Sequence, residues 1–323
     1  MNENVRRTTP PEAPRDGAPP FAPVFPSVSI DAARLRERYR RFEEGARRIR
    51  WDDQGPVRVD WSLFDRDRLT LDNLFVVKLV TFVESYADVY ADLLIARFCT
   101  SETMAAFFRL WEREEQNHAD RLVAYLELVG LDRAALRAAL ERPRQRGFEV
   151  DYIRTPLQAN AFTYCQELLT AFFYQAFRRT VGEPLLDLLL TKIIADEWRH
   201  FHWYEYVLRL HLEADRARTL QEVGVVFENF SMPGNQILGP DYEILTDEIV
   251  RQMRFGMGDV FQIGKKISST FGLIDGGRLM AHSSYARDIK EICFRRKPPK
   301  ERHDEVVRAF TADLKAALAT GGP

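Results

Sequence analysis

The sequence has few cysteines, and none of them forms a CxxC pair. The three cysteines lie far apart, at positions 99, 165 and 293. Neither a disulfide framework nor a rubredoxin-type iron site is therefore indicated, and a reducing cytoplasm is the expected location. The chain also lacks an apolar run of about 18 residues. Its first residues, MNENVRRTTPPEAP, have no apolar signal-peptide core. We expect no membrane-spanning segment.

An excess of one charge and the signals of β-strands are missing too. The 46 basic and 48 acidic residues give a net charge of −2, which provides no general attraction to nucleic acid or to a membrane. No Asn-Gly or Asp-Gly turn joins two alternating apolar runs, so a β-sheet is not indicated. With 323 residues, 46% of them hydrophobic, the chain can bury a substantial core.

Helical periodicity dominates the chain beyond its first 27 residues. Residues 1–27 contain seven prolines and few large apolar residues, which predicts a disordered tail before a single domain over 28–323. Four long amphipathic helices are predicted near 69–98, 101–129, 155–181 and 183–213. Shorter helices are predicted at 31–50, 132–142, 215–229, 241–272, 284–294 and 301–319. This pattern indicates an all-α fold built on a four-helix bundle with additional peripheral helices.

An acidic pattern occurs twice along the four long helices. In the first pair of helices, a lone Glu84 is followed 31 residues later by Glu115, which begins a Glu-x-x-His motif ending at His118. In the second pair, Glu167 precedes by 30 residues the motif formed by Glu197 and His200. A single Glu-x-x-His motif usually lies on the protein surface without a function, but two motifs with nearly equal spacing predict a pseudo-symmetric site.

The chemistry of this pattern favours two metal ions. Residues i and i+3 share one helix face, so each Glu-x-x-His motif can point at one centre. Four carboxylates directed into a core cannot stay charged and uncompensated. Carboxylate and imidazole ligands suit two iron ions, with manganese as a substitute, as in ferritin-like di-iron bundles. The acid before each motif can orient the other motif's imidazole, Asp196 for His118 and Glu114 for His200.

The same residues resemble the soluble acyl-carrier-protein desaturases, a family within the ferritin-like di-iron proteins. That family carries boxes similar to EEQNH (114–118) and DEWRH (196–200). Trp111 also matches, as do the segments HADRLVAYLELVG (118–130), FTYCQELLT (162–170) and FSMPGNQIL (230–238). The resemblance covers roughly 70–295 and departs from the family at Trp198, where a Lys is usual, and at the extra His202.

This resemblance implies an oxygen-dependent oxidase that introduces a cis double bond into an acyl chain held as a thioester on acyl carrier protein. It implies a ferredoxin-type electron donor, a homodimer, and a role for Thr170 beside the oxygen-binding face and for Trp111 in electron transfer. The six implied iron ligands are Glu84, Glu115, His118, Glu167, Glu197 and His200.

Substrate and carrier contacts are predicted less directly. A substrate channel beside the second and third long helices would be lined by Phe107, Phe108 and Phe162. An acidic carrier would be attracted by the arginine-rich stretch 34–50, with Arg40, Arg41 and Arg47 as docking residues, or by the basic cluster 295–302.

Several other functions share parts of this pattern. A ribonucleotide reductase small subunit usually has a radical tyrosine one turn after the first-box histidine, where this chain has Leu122. N-oxygenases carry a third histidine where this chain has Ile193. An iron-storage protein needs only the bundle, so this function would not explain the residues beyond it. A helical scaffold that has lost its metal would not explain the presence of all six ligands. A di-iron hydroxylase or N-oxygenase-type tailoring enzyme remains the alternative to desaturation.

Overall fold

The computed structural model of the protein describes residues 28–99, 101–144, 151–232, 239, 241–253, 255–272 and 299–320. The predicted tail 1–27, the predicted helix 284–294 and residues 295–298 of the second basic cluster lie outside these ranges. Within them, the chain forms helices and connecting turns, with no strand. The all-α prediction is therefore confirmed over the described residues.

The helices follow one another along the chain with short connections. In chain order they are α1 (Ala32–Ile49), α2 (Leu71–Glu84), α3 (Ala87–Phe98), α4 (Glu102–Val129), α5 (Arg133–Arg144), α6 (Pro156–Arg178), α7 (Pro184–Ala214), α8 (Arg216–Asn229), α9 (Tyr242–Met253), α10 (Met257–Phe271) and α11 (Lys300–Ala319). Two short 3₁₀ turns, Trp61–Leu63 and Arg66–Arg68, lie between α1 and α2.

Local sequence explains where the long helices begin and end. The hydroxyl of Ser101 accepts the Met104 backbone N–H at the start of α4, and Gly130 ends that helix in the left-handed conformation, with φ 111°. Thr155 caps α6, and both α6 and α7 have a proline in the first turn. These caps lie at the breaks that the sequence predicts.

The long helices pack as a ferritin-like bundle, as the repeated pattern predicts. Helix α6 lies along α7, and α4 lies along α2 and α3. Buried apolar residues form two clusters, one containing Phe107 and Trp203 and the other containing Leu122 and Ile193. Helices α1, α8 and α11 cover the outside of the bundle. No helix among the described ranges has the length and apolar character needed to cross a bilayer.

The prediction of one continuous helix over 69–98 is wrong, because the chain breaks at Ser85 and Tyr86 between α2 and α3. The hydroxyls of Thr81 and Ser85 each donate to the backbone carbonyl four residues earlier, at 2.7 and 2.6 Å. Such bonds compete with the regular ladder and bend helices. The Tyr86 hydroxyl also donates to the Leu140 carbonyl at 2.7 Å. The break leaves Glu84 as the last residue of α2.

The predicted helix over 241–272 is likewise two helices. Helix α9 ends at Met253 and α10 begins at Met257. Between them Gly256 has extended backbone, and its N–H donates to the Asp259 carboxylate at 3.0 Å. A capped helix start therefore divides the segment that the sequence predicts as one helix.

Candidate metal centre

Six side chains meet in the middle of the bundle. Glu84 comes from the end of α2, Glu115 and His118 from α4, Glu167 from α6, and Glu197 and His200 from α7. All six are buried, and both histidines are fully shielded from solvent. The structure therefore brings together every residue that the repeated pattern singles out.

The six side chains form two four-residue groups that share two members. Glu84 and His118 belong to one group, Glu167 and His200 belong to the other, and Glu115 and Glu197 belong to both. Within each group, one ligand atom from every residue lies within 4.8 Å of the others. Shared carboxylates between two groups are the arrangement that would bridge two ions.

Each imidazole directs one nitrogen inward and the other outward. Nδ1 of His118 lies 3.2 Å from Oε2 of Glu115, and its Nε2 lies 3.2 Å from Oδ2 of Asp196. Nδ1 of His200 lies 2.9 Å from Oε1 of Glu115, and its Nε2 lies 2.8 Å from Oε2 of Glu114. The outer acids thus lie where the sequence predicts, across the bundle from the motif to which each belongs.

The donor atoms at the centre fit a pair of cations. Oε1 of Glu115, Oε1 of Glu197, Oε2 of Glu167 and Nδ1 of His200 are buried and have no hydrogen-bond partner in good geometry. These atoms contact one another or the His118 imidazole at 2.9 to 3.5 Å. Because buried polar atoms are nearly always hydrogen-bonded, a cation at their centre would satisfy them better. Carboxylate oxygens with imidazole nitrogens are a donor set suited to iron or manganese.

The pKa shifts of the four carboxylates also indicate that the centre favours a bound cation. Burial, together with the Glu115 charge, raises the pKa of Glu84 to about 7. Burial and the Glu115 charge also raise the pKa of Glu197 well above its usual range, and burial raises that of Glu167. Burial likewise acts to raise the pKa of Glu115, but the two imidazoles outweigh it and lower that pKa well below its usual range.

The histidines respond in the opposite direction. Burial alone would lower their pKa, but carboxylates outweigh it: Glu115 and Asp196 raise the pKa of His118, and Glu114, Glu115 and Glu167 raise that of His200. The carboxylates therefore favour the protonated form of both imidazoles when no metal occupies the centre. A bound cation would replace those protons.

The two carboxylates that belong to only one group each receive a hydrogen bond from a buried aromatic side chain. The Tyr174 hydroxyl donates to Oε1 of Glu84. The Trp111 indole N–H donates to Oε1 of Glu167 at 3.0 Å. The structure thus gives Trp111 a contact that orients a ligand, while its role in electron transfer stays a prediction. Sequence reasoning missed Tyr174, although it lies two turns after Glu167 on the same face of α6.

Trp51 is a second contact that the sequence did not reveal. Its indole N–H donates to Oδ2 of Asp196 at 2.7 Å, and its ring stacks on the His118 imidazole with centroids 5.8 Å apart. The loop after α1 holds it there, because Gly55 approaches the Arg50 carbonyl so closely that an added Cβ would lie 2.0 Å from the oxygen. Trp51 is 145 residues from Asp196, so no local pattern could link them.

Trp51→Phe should test the hydrogen bond to Asp196 while keeping an aromatic ring against His118. Loss of the N–H donor frees Asp196 to turn, and changes around metal-binding histidines typically cost about 10–100-fold in metal affinity or activity. We expect a loss of about 10-fold in iron affinity, measured by competition with a chelator. Trp61→Phe makes the same change at a partly exposed indole and serves as the control. Equal affinities in both variants would show that this hydrogen bond has no influence on the site.

A cleft opens beside the six-residue cluster. It has an empty volume of about 420 Å³, part of it open to solvent, and Thr170 lines it together with Glu84, Glu115, Glu167 and Glu197. Its remaining walls are Val83, Ala87, Tyr90, Trp111, Gln166 and Met232. Thr170 therefore lies beside the cluster in this cleft, and its role at an oxygen-binding face stays a prediction.

The three phenylalanines predicted to line a substrate channel are not among the residues that line this cleft. Phe107 stacks on Trp203 with ring centroids 4.3 Å apart, and Phe108 packs edge-on against Phe107. Phe162 packs against Phe230 at 5.3 Å. These contacts are those of a hydrophobic core, and the role of the three residues in a substrate channel stays a prediction.

The predicted docking arginines lie on the exposed side of α1 and are already paired. Arg40 contacts Glu37 and Glu44 at 3.0 and 2.6 Å, Arg41 contacts Glu37 at 2.7 Å, and Arg47 contacts Glu43 at 3.2 Å. Because α1 holds seven arginines and three glutamates, its surface stays positive. Internal ion pairs reduce what these three arginines can contribute to a partner.

Comparison with known proteins agrees with the geometry. The sequence profile of a family described as fatty acid desaturase matches residues 83–293, well over half of the chain. A chloroplastic acyl-[acyl-carrier-protein] desaturase 6 of rice, Oryza sativa subsp. japonica, is 33% identical over 117 residues, and its counterpart in subsp. indica matches equally. The match covers 34% of this chain and only 28% of each relative.

Proposed function

Since the chain belongs to the fatty acid desaturase family, we propose that it is a di-iron oxidase that introduces a double bond into an acyl chain carried on acyl carrier protein. The observation that carries the proposal is the pair of buried ligand groups sharing Glu115 and Glu197 beside a cleft. The substrate class rests on similarity to the rice relatives, which are acyl-[acyl-carrier-protein] desaturases. Those relatives match over a minor part of their length.

In this proposal each residue of the site has a role that follows from its contacts. Glu115 and Glu197 would be held in common by two irons, and Glu84 with His118 and Glu167 with His200 would complete the two sets of residues that hold them. Asp196 and Glu114 fix the tautomer of the imidazoles by accepting from Nε2, which leaves Nδ1 for the metal. Manganese is a possible substitute for iron because it accepts the same donors.

When bound, the irons supply the activation of dioxygen and the oxidising power to remove two hydrogen atoms from neighbouring carbons. The balanced reaction takes a CH₂–CH₂ unit, O₂, two electrons and two protons to a CH=CH unit and two waters. The protein holds the acyl chain in the cleft and limits the access of water. Thr170, which lines the cleft beside Glu167, would supply a hydroxyl proton near the reacting oxygen.

Mass spectrometry of acyl carrier protein after turnover is the experiment that tests this function. The expected product is two mass units lighter than the substrate, because two hydrogens are lost, and it should require O₂ and a two-electron donor. Hydroxylation begins with the same hydrogen removal and instead adds one oxygen atom. Incorporation of oxygen-18 into the acyl product would therefore replace desaturation with hydroxylation while leaving the metal site intact.

We also propose that the carrier approaches α1, by resemblance to desaturases that act on acidic acyl carrier proteins. Helix α1 packs on the His200 side of the site, where the Phe42 ring lies 6.3 Å from the His200 imidazole. A partner docked there would be near the catalytic centre. By the same resemblance to desaturases, the proposal includes a ferredoxin-type electron donor, a homodimer and a cytoplasmic location.

Reversing the charges of Arg40, Arg41 and Arg47 to Glu should weaken the use of acyl-carrier substrates. Electrostatic steering changes association rates by about 10-fold or more at low salt. At 0.1 M salt, the attraction between charges is largely screened beyond a Debye length of about 10 Å. We expect roughly a 5-fold rise in KM at low salt that shrinks at high salt, moderated by the ion pairs of these arginines.

Reversal of Arg133 and Arg137 on α5 alters the charge of the chain without touching α1, and it serves as the control for the triple variant. An equal rise in KM for both variants would point to net charge rather than to α1 as the cause. An unchanged KM in the triple variant would move the docking surface elsewhere.

A further inference from the structure

One guanidinium joins the two acids that lie outside the metal cluster. Nη2 of Arg199 donates to Oδ1 of Asp196 at 2.7 Å, and it also lies 2.9 Å from Oε1 of Glu114. Nη1 lies 3.2 Å from the same Glu114 oxygen. Arg199 occupies one of the two positions between the ligands Glu197 and His200, a place that sequence reasoning treated only as a spacer.

These bonds complete an unbroken path between the two histidines that does not pass through the metal positions. The path runs from Nε2 of His118 to Asp196, through Arg199 to Glu114, and on to Nε2 of His200. Each acid uses one oxygen for the imidazole and the other for the guanidinium. The side chains along it are 0–16% exposed, so water competes little for these bonds.

The shape of the guanidinium suits this position better than an ammonium group would. Its planar fork can bond two carboxylates in fixed directions, whereas the lysine charge is a compact point on a flexible stem. The group also lies over the Phe42 ring, 5.0 Å from its centroid, which holds its plane from a second side. Arg199 is therefore held by α1, α4 and its own helix α7.

We propose that Arg199 is a positioning residue that couples the two metal sites, so that binding of an ion at one site is sensitive to the outer acid of the other. The inference rests on the proposed metal centre. It extends that proposal by assigning to one side chain the shared orientation of both imidazoles. Disturbing either acid shifts the guanidinium, and the shift reaches the opposite histidine through a chain of directional bonds.

A double-mutant cycle in metal binding tests this coupling without any use of enzyme activity. The probe is cobalt(II), added to the metal-free full-length chain, and its absorption gives the stepwise affinities of the two sites. Asp196→Asn and Glu114→Gln are measured singly and together, first with Arg199 present and then in an Arg199→Lys background. We expect the two substitutions to be non-additive by at least about 3-fold with Arg199 present, as for groups in one network.

In the Arg199→Lys background the charge remains but the fork is lost. The two substitutions should then act additively, and Arg199→Lys alone should weaken both cobalt affinities, each by roughly 10-fold. Arg209→Lys is the matched control, because Arg209 lies on the same helix and, among the described residues, bonds a single acid, Glu205, at 3.0 Å. It should leave both affinities unchanged.

The outcomes separate this inference from the proposed function. Additive effects with Arg199 present, or unchanged affinities in Arg199→Lys, would overturn the coupling even if the chain desaturates its substrate. Coupling observed in a chain that makes no double bond would support the inference and remove only the proposed reaction. A wild-type chain that binds fewer than two cobalt ions would remove the metal centre and the coupling together.

Discussion

Glu197→Ala should abolish the binding of both metal ions, whereas Glu167→Ala should mainly remove one. Glu197 belongs to both ligand groups, but Glu167 belongs only to the group of His200. Removing a shared carboxylate takes a donor from each ion, and removing an unshared one takes a donor from a single ion. After anaerobic loading we expect close to two irons per wild-type chain, near zero for Glu197→Ala and about one for Glu167→Ala, measured by elemental analysis.

The metal-free Glu197→Ala chain supplies an internal check on folding. Burial and neighbouring carboxylates raise the pKa of Glu197 well above its usual range, so its charge is unfavourable when no cation is bound. Because that cost is removed while the contact of Glu197 with the His118 imidazole is lost, the melting temperature of the metal-free chain should stay close to that of wild type. Glu205→Ala removes a buried carboxylate eight residues along α7, outside both groups, and should keep two irons. Two irons in Glu197→Ala would refute the assignment of a bridging role.

The metal-free protein should lose stability as the pH rises from about 5 to 8, and metal loading should offset that loss. Glu84 has a usual pKa of 4.5 that the fold raises to about 7. Its contribution to the free energy of unfolding is therefore fully present below pH 4.5. As the pH rises toward 7, this contribution falls by about 3 kcal/mol. The raised pKa values of Glu167, Glu197, His118 and His200 act in the same direction.

Two carboxylates oppose this trend at lower pH. The imidazoles lower the pKa of Glu115, and His118 with Arg199 lowers that of Asp196, in both cases against burial. Both carboxylates contribute to the free energy of unfolding above their ordinary pKa values, and this contribution is lost as the pH falls below that range. The metal-free chain should therefore be most stable near pH 5.

Metal binding should reverse the trend because it replaces protons on the ligands, and its affinity rises with pH. At a free metal concentration about 1,000 times the dissociation constant, one site adds about 4 kcal/mol, which corresponds to roughly 10 °C in melting temperature. The measurement is the melting temperature of loaded and metal-free protein between pH 5.5 and 8. We expect the difference between them to grow across this range.

Glu84→Gln is the matched variant for the pH experiment. The amide does not titrate, and its carbonyl oxygen can still accept the Tyr174 hydroxyl, so the metal-free chain should lose less stability between pH 5 and 7 than wild type does. A wild-type metal-free chain whose melting temperature stays level or rises over that interval would contradict the account of the buried carboxylates.

The sequence alone was sufficient for the fold class and for which residues meet at the centre. The i, i+3 spacing of Glu115 with His118 and of Glu197 with His200 has a fixed meaning on a helix, because 3.6 residues per turn place both side chains on one face. The helix starts at Ser101 and Thr155 could also be predicted from the sequence, since a helix cap depends on residues within three positions. These features are local consequences of backbone geometry.

Only the tertiary structure decided how the six residues divide into two groups, with Glu115 and Glu197 shared. The tertiary structure also shows that the first long helix is interrupted next to Glu84, and that Phe107 packs in the core and does not line the cleft.

The hydrogen bonds of Trp51 and Arg199 likewise depend on how α1, α4 and α7 lie against one another. Trp51 and Asp196 are 145 residues apart, and no periodicity relates positions that only packing brings within 2.7 Å. The contacts that orient the site therefore depend on the packing of the bundle, whereas the six candidate ligands can be identified from the sequence.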